Sequence, residues 1–235
     1  MTVPGGYPIA GNGFSSLTVT SPEDARQKIN KLIDDGADVI KITLESSAGP
    51  MLSPQEALAI VETAHGRGIP VTVHATRVRD LRQALDAGVD DVCHIVLDAV
   101  SDDDIRWMVE NGVYWIPTFE PLHGQGQDNL RRFLTAGGQA ALGNDSGYLQ
   151  GMQIGMPMSE IEWMRAAGMT PMQIIMAATL NGARVCRREG ALGTLELGKI
   201  ADAVVVGGDA LQDLQALLDV RVVVHRGAII RAGGM

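Results

Sequence analysis

Between residues 21 and 147 one pattern recurs five times: a helical segment, a glycine, then a short apolar run. Ser21-Pro22-Glu23-Asp24 opens the first, with Ser21 as N-cap, Pro22 at the first helical position and Asp24 placed for a capping box. That helix is predicted to run to Asp35-Gly36, and Ala37 to Ile42 follows as a strand. Ser53-Pro54-Gln55-Glu56 caps the next, which closes at Arg67-Gly68 and feeds Ile69 to Ala75. Arg79 to Ala87 with Gly88 precedes Asp90 to Ile95. Ser101 to Asp104 starts a helix closed by Asn111-Gly112 ahead of Val113 to Thr118, and Asn129 to Thr135 with Gly137-Gly138 precedes Gln139 to Gly147. Short, valine-rich runs bounded by turn residues and alternating with helices predict the buried strands of a parallel sheet, and so an α/β fold.

The strand around Val71-Thr72-Val73-His74 shows how such a unit presents chemistry. Side chains alternate, so the two valines point one way while Thr72 and His74 point the other. His74 stands at the carboxyl end, where ligands gather in parallel α/β proteins. A lone histidine there is as a rule a hydrogen-bonded core residue; the recurrence is what matters. The carboxyl ends of the five strands carry Lys41, His74, His94, nothing on the Trp115 strand, and Asp145. Two imidazoles, a carboxylate and a lysine form the inventory of a site for zinc or a similar divalent ion. A protonated lysine is a poor ligand. Between Ile40 and Ile42, Lys41 is expected to be buried, which favours a neutral amine able to react with carbon dioxide and become carboxylate-like; a buried ion pair is the other reading. Asp145, in Gly143-Asn144-Asp145-Ser146-Gly147, reads either as a ligand where glycines let the backbone approach closely or as a turn aspartate.

After Gly147 the rhythm changes. Ser159 to Ala167 and Pro171 to Arg188 read as two helices, the second capped by Thr170. From Ala191 onward Gly193 to Leu195, Ala203 to Val206, Arg221 to His225 and Ala228 to Arg231 are short β-type runs. The expected division is residues 1–190 for the strand-helix layer and 191–235 for a small β-module.

Composition narrows the partners. A net charge of -9 disfavours nucleic acid and anionic membranes. The chain has neither a long apolar segment nor a basic-then-apolar N-terminus, so no membrane span or signal peptide is expected, and the cytoplasm is the default compartment. Cys93 and Cys186 are too few for a disulfide scaffold.

Several stretches together resemble the carboxyl-terminal part of the amidohydrolase superfamily, in the branch that includes imidazolonepropionase and prolidase-like dipeptidases. They are Asp38-Val39-Ile40-Lys41-Ile42, Val73-His74-Ala75, His94, Gly143 to Gly147, Thr170-Pro171 to Arg184 and, most specifically, Gly193-Thr194-Leu195-Glu196-Leu197-Gly198-Lys199-Ile200-Ala201-Asp202-Ala203-Val204-Val205-Val206. The resemblance implies a (β/α)8 barrel with a small β-sandwich, and hydrolysis of amide or cyclic amide C–N bonds in a small-molecule substrate. It implies Lys41 as a carboxylated bridging ligand, His74 and His94 as ligands of a second metal, and Asp145 as ligand and general base. A lactonase or esterase of the same superfamily is the nearest rival. One departure bears on this. That superfamily opens its barrel with a His-x-His pair, and none of the five histidines here forms one. With five strand-helix units counted, where a whole barrel has eight, the expectation is a partial barrel. Such a remnant would be a homo-oligomer, or a catalytically incomplete piece active only with a complementing fragment.

The remaining histidines carry weaker expectations. His123, after the strand without a ligand, is a candidate substrate contact. His65 at a helix end and His225 in the tail read as structural, and the loops 120–130 and 146–158 are the stretches expected to line a pocket.

Overall fold

The computed structural model describes residues 1–8, 16–146 and 155–232. Four parallel strands, β1 (Ile40–Thr43), β2 (Val71–His74), β3 (Asp91–Cys93) and β4 (Tyr114–Ile116), lie side by side in chain order. α1 (Pro22–Asp34) leads into β1, α2 (Pro54–His65), α3 (Val78–Ala87) and α4 (Asp102–Glu110) join the successive strands, and α5 (Gln127–Thr135) follows β4. The starts of α1, α2 and α4 follow the caps in the sequence. Ser21, Ser53 and Ser101 each accept a hydrogen bond from the backbone three residues on, and Ser53 with Glu56 completes a capping box. Gly88 ends α3 at φ 83°, where a side chain would be strained.

The fifth expected strand shortens to a bridge. Ala140 pairs with Trp115 alone, because the chain then leaves the sheet: the Leu142 amide donates to the carbonyl of Ala177 at 3.1 Å instead of to a strand.

One face of the sheet is the core. Ile40, Ile42, Val71, Val73, Val92 and Trp115 are buried there against the helices, and Trp115 meets Phe133 of α5 edge-on at 5.4 Å. The register sets the other face in rows. Lys41, Thr72, Asp91 and Tyr114 form one, and Thr43, His74, Cys93 and Ile116 form the next toward the carboxyl ends. Beyond β1 the chain's first residue runs alongside, its carbonyl accepting from the Thr43 amide at 2.9 Å.

The segment expected as one helix from Pro171 to Arg188 is α7 (Pro171–Met176), a π-turn over Ala177–Asn181, and α8 (Gly182–Val185), preceded by α6 (Met158–Ala166). The π-turn coincides with the anchoring of Asn181, whose side-chain amide donates to the Ala140 carbonyl at 2.9 Å. The tail forms a separate antiparallel sheet of β5 (Ala203–Val206), β6 (Val220–His225) and β7 (Ala228–Ala232). Among the described residues no helix is long and apolar enough to cross a membrane.

Candidate active site at the carboxyl edge of the parallel sheet

His74 is the last residue of β2 and points, as alternation requires, away from the valines into the polar face. His94 does not end its strand as expected. β3 stops at Cys93, and His94 follows in the left-handed region at φ 69°. Three contacts hold that backbone. The His94 amide donates to the Ile116 carbonyl at 2.9 Å, Trp115 Nε1 donates to the His94 carbonyl at 2.8 Å, and His94 Nδ1 meets the hydroxyl of Thr118. Thr118 is itself at φ 45°, uncommon for a β-branched residue and the kind of local strain that gathers at functional sites.

The two imidazoles thereby meet edge-on, with ring centroids 4.4 Å apart, and the Tyr7 ring lies against His74 in a tilted arrangement at 5.0 Å. Asp145, also in the left-handed region at φ 57°, brings Oδ2 to 3.8 Å from His94 Nε2. Its approach depends on Gly143, where a Cβ would lie 2.8 Å from Cγ2 of Ile116. His74, His94 and Asp145 are therefore brought together.

Lys41 is placed differently from its expectation on two counts. β1 continues to Thr43, which is the partner of His74, so Lys41 lies one row below the histidines rather than beside them. Its side chain is exposed, not buried: Ile40 and Ile42 face the helices, and alternation turns the lysine onto the open face. His123 sits on the exposed loop after β4, following a 3₁₀ turn at Glu120–Leu122; among the described residues no hydrogen bond or ion pair joins it to His74, His94 or Asp145. Of the loops expected to line a pocket, residues 147–154 lie outside the described residues. His65 and His225 pair with Asp90 and Asp202, at 2.8 and 3.2 Å.

The sequence reading missed a carboxylate. Glu45, two residues past β1 and 6% exposed, lies 3.3 Å from His74 Nε2 and accepts from the hydroxyls of Thr76, at 2.5 Å, and Ser47. Burial by itself raises such a carboxyl, but the donors from His74, Ser47 and Thr76 outweigh it and hold Glu45 at about 2. The only signal for it was an acid placed directly after the strand run Ile42-Thr43-Leu44. His94 is lowered as well, but there burial is the cause and the neutral form is the one favoured. Burial, reinforced by His74 and Lys41, lowers it to about 3, so its ring is neutral at neutral pH. Lower on the same face, burial lifts Asp91 to about 6.

In donor chemistry His74, His94 and Asp145 suit a divalent cation, since they offer two imidazole nitrogens and a carboxylate. In placement the set is partial: among the described residues no group of three or more His, Cys, Asp or Glu side chains converges closely enough to hold an ion.

Known proteins resemble this chain in sequence and in fold. An imidazolonepropionase from Geobacillus sp. (strain WCH70) is 29% identical over 160 residues, covering 66% of this chain and 37% of that protein. One from Brevibacillus brevis is 27% identical over 190 residues, covering 78% and 45%. Among solved structures, a Xaa-Pro dipeptidase with bound methionine superposes with a TM-score of 0.84 at 27% identity, covering 99% of this chain and 66% of that one. A putative prolidase from Bifidobacterium longum gives 0.80 at 27% identity, over 96% and 64%. The chain thus spans less than half the length of these curated relatives and about two thirds of the structural ones. The model of the amidohydrolase family matches residues 3–230, and the chain belongs to that family.

Proposed function

We propose that this chain carries the carboxyl-terminal half of a metal-dependent site for hydrolysing amide or cyclic amide C–N bonds. The observation that supports it most is the convergence of His74, His94 and Asp145 at the carboxyl edge of a parallel sheet, where catalysis resides in barrel enzymes. His74 and His94 would hold the cation, with a third donor from Asp145 or from Lys41 once its amine has reacted with carbon dioxide. When bound, a divalent ion would supply Lewis acidity toward the substrate carbonyl and would bring the pKa of water to about 7. The chain's own part is proton handling and alignment. Asp145 accepts the proton of the attacking water and returns it to the departing nitrogen, as general base and then general acid. Neutral His94, fixed through Thr118, keeps its Nε2 facing Asp145.

The imidazolonepropionase and dipeptidase relatives make cyclic amides and Xaa-Pro peptides the first substrates to try. The test is hydrolysis of an imidazolone-type cyclic amide and of Xaa-Pro dipeptides by the chain loaded with Zn2+, beside a lactone. Turnover of an amide that disappears on chelation and returns with Zn2+ supports the reading; lactone turnover alone overturns it.

A second reading is favoured by the partial donor set. None of the five histidines forms a His-x-His pair, and two imidazoles fall short of the three protein ligands usual in a catalytic zinc site. In this reading the chain is active only when a second copy or a complementing fragment supplies the missing donors. Activity rising with the square of concentration, or appearing on addition of such a fragment, identifies it.

A further inference from the structure

We infer that Glu45 is a positioning residue for His74, fixing which ring nitrogen that histidine presents to the site. The inference rests on the proposed role of His74 and goes beyond it. A histidine that ligates through one nitrogen needs the other engaged, since a free ring rotates and exchanges tautomers; a carboxylate on the far nitrogen is the usual solution. Glu45 is placed for this. Its Oε2 lies 3.3 Å from His74 Nε2, so that nitrogen carries the proton and Nδ1 is left as the lone-pair donor.

Glu45 is in turn held. Oε2 also accepts from the Thr76 hydroxyl at 2.5 Å, while Oε1 accepts from the Ser47 hydroxyl and, at 3.3 Å, from the Ser47 amide. The three anchors come from both flanking loops, Ser47 after β1 and Thr76 after β2, so the carboxylate ties two strand ends together at the histidine. With Glu45 6% exposed, water has little room to substitute for its carboxylate. The Tyr7 ring also lies against His74, with centroids 5.0 Å apart.

The test uses the full chain and three variants, with two readouts. The first is the His74 tautomer, read from nitrogen-15 chemical shifts of the metal-free chain. The second is the dissociation constant for Zn2+. The parent should show a predominant Nε2–H tautomer. Glu45→Leu, close in volume but unable to accept a proton, should lose that preference and bind Zn2+ 10- to 100-fold more weakly, the range typical of outer-shell partners. Glu45→Gln, whose carbonyl still accepts, should restore most of both. Thr76→Val leaves the carboxylate in place and serves should Glu45→Leu fail to fold; it should shift both readouts in the same direction by a smaller factor. A parent and variants with the same tautomer and the same Zn2+ affinity overturn the inference. A parent that binds no Zn2+ overturns the metal reading instead, and the tautomer alone then decides for Glu45: preference lost in Glu45→Leu supports it, preference unchanged overturns it.

Discussion

Asp145 is the residue on which the proposed chemistry turns, because among the described residues it is the carboxylate that reaches His94, while its side chain remains 39% open to an incoming substrate. Asp145→Asn keeps the shape and a ligating oxygen but accepts no proton. Amide turnover by the loaded chain should fall by about 10²- to 10⁴-fold, the range for loss of a general base, with circular dichroism unchanged and most of the Zn2+ retained. An Asp145→Asn chain turning over at the parent's rate would remove Asp145 from the mechanism. The two histidines make a complementary prediction: His74→Ala combined with His94→Ala should abolish bound metal measured by plasma mass spectrometry. Neither histidine is interchangeable with His65, His123 or His225, which the fold keeps away from this edge or exposes on its rim.

At the scale of elements, the loop after β4 is anchored from below by α6. Glu160 is fully buried, and its Oε2 accepts from the Glu120 amide at 2.8 Å, while Glu120 in turn accepts from the Asn144 side chain at 3.2 Å, next to Asp145. Burial lifts the Glu160 carboxyl from its ordinary 4.5 to about 7, against the amides of Phe119 and Glu120 that lower it and with the charge of Glu120 adding to the rise. The folded chain therefore binds a proton here that the unfolded chain has released between pH 4.5 and 7, and stability contributed at this site is lost as pH rises through that window. The upper bound is about 3 kcal/mol, at 1.36 kcal/mol per unit. Glu160→Gln should flatten this part of the profile, so that urea midpoints of parent and variant agree near pH 4.5 and the variant is the more stable at pH 8. A second element-level prediction concerns the turn out of α5. A Cβ on Gly138 would lie 2.4 Å from the Phe133 ring, which is fully buried and packs on Trp115. Gly138→Ala should destabilise by about 1–3 kcal/mol, the usual cost of overpacking, seen as a lower denaturation midpoint.

Over the whole molecule the parallel layer and the tail sheet differ in how they meet water. The first buries one continuous apolar face, whereas the second exposes Val204 at 58%, Val205 at 51%, Ile229 at 68% and Ile230 at 64%. Neighbouring residues on a strand point to opposite faces, so both faces of the tail sheet are apolar and open. Exposed patches of this kind drive association. At low micromolar concentration the chain should scatter light as a dimer or larger species, and replacing Val205 and Ile230 with threonine should shift it toward monomer. A sharp monomer peak from the parent would show that these residues are tolerated in water.

Local chemistry sufficed to write the helix starts, the parallel class and the inward-facing valines into the sequence, because N-caps and two-residue alternation act over a few positions and need no partner. The same locality carried His74 to the right edge. What only the tertiary structure decided depends on contacts between segments far apart in the chain. The pairing of Thr43 with His74 sets how far β1 extends and drops Lys41 a row below the histidines. The Ala177 carbonyl draws Leu142 out of the sheet and cuts the fifth strand to one bridge. Glu45 becomes a histidine partner through hydroxyls two and thirty-one residues away, and no local pattern encodes a meeting of that kind, since register and loop closure bring those groups together only once the sheet has formed.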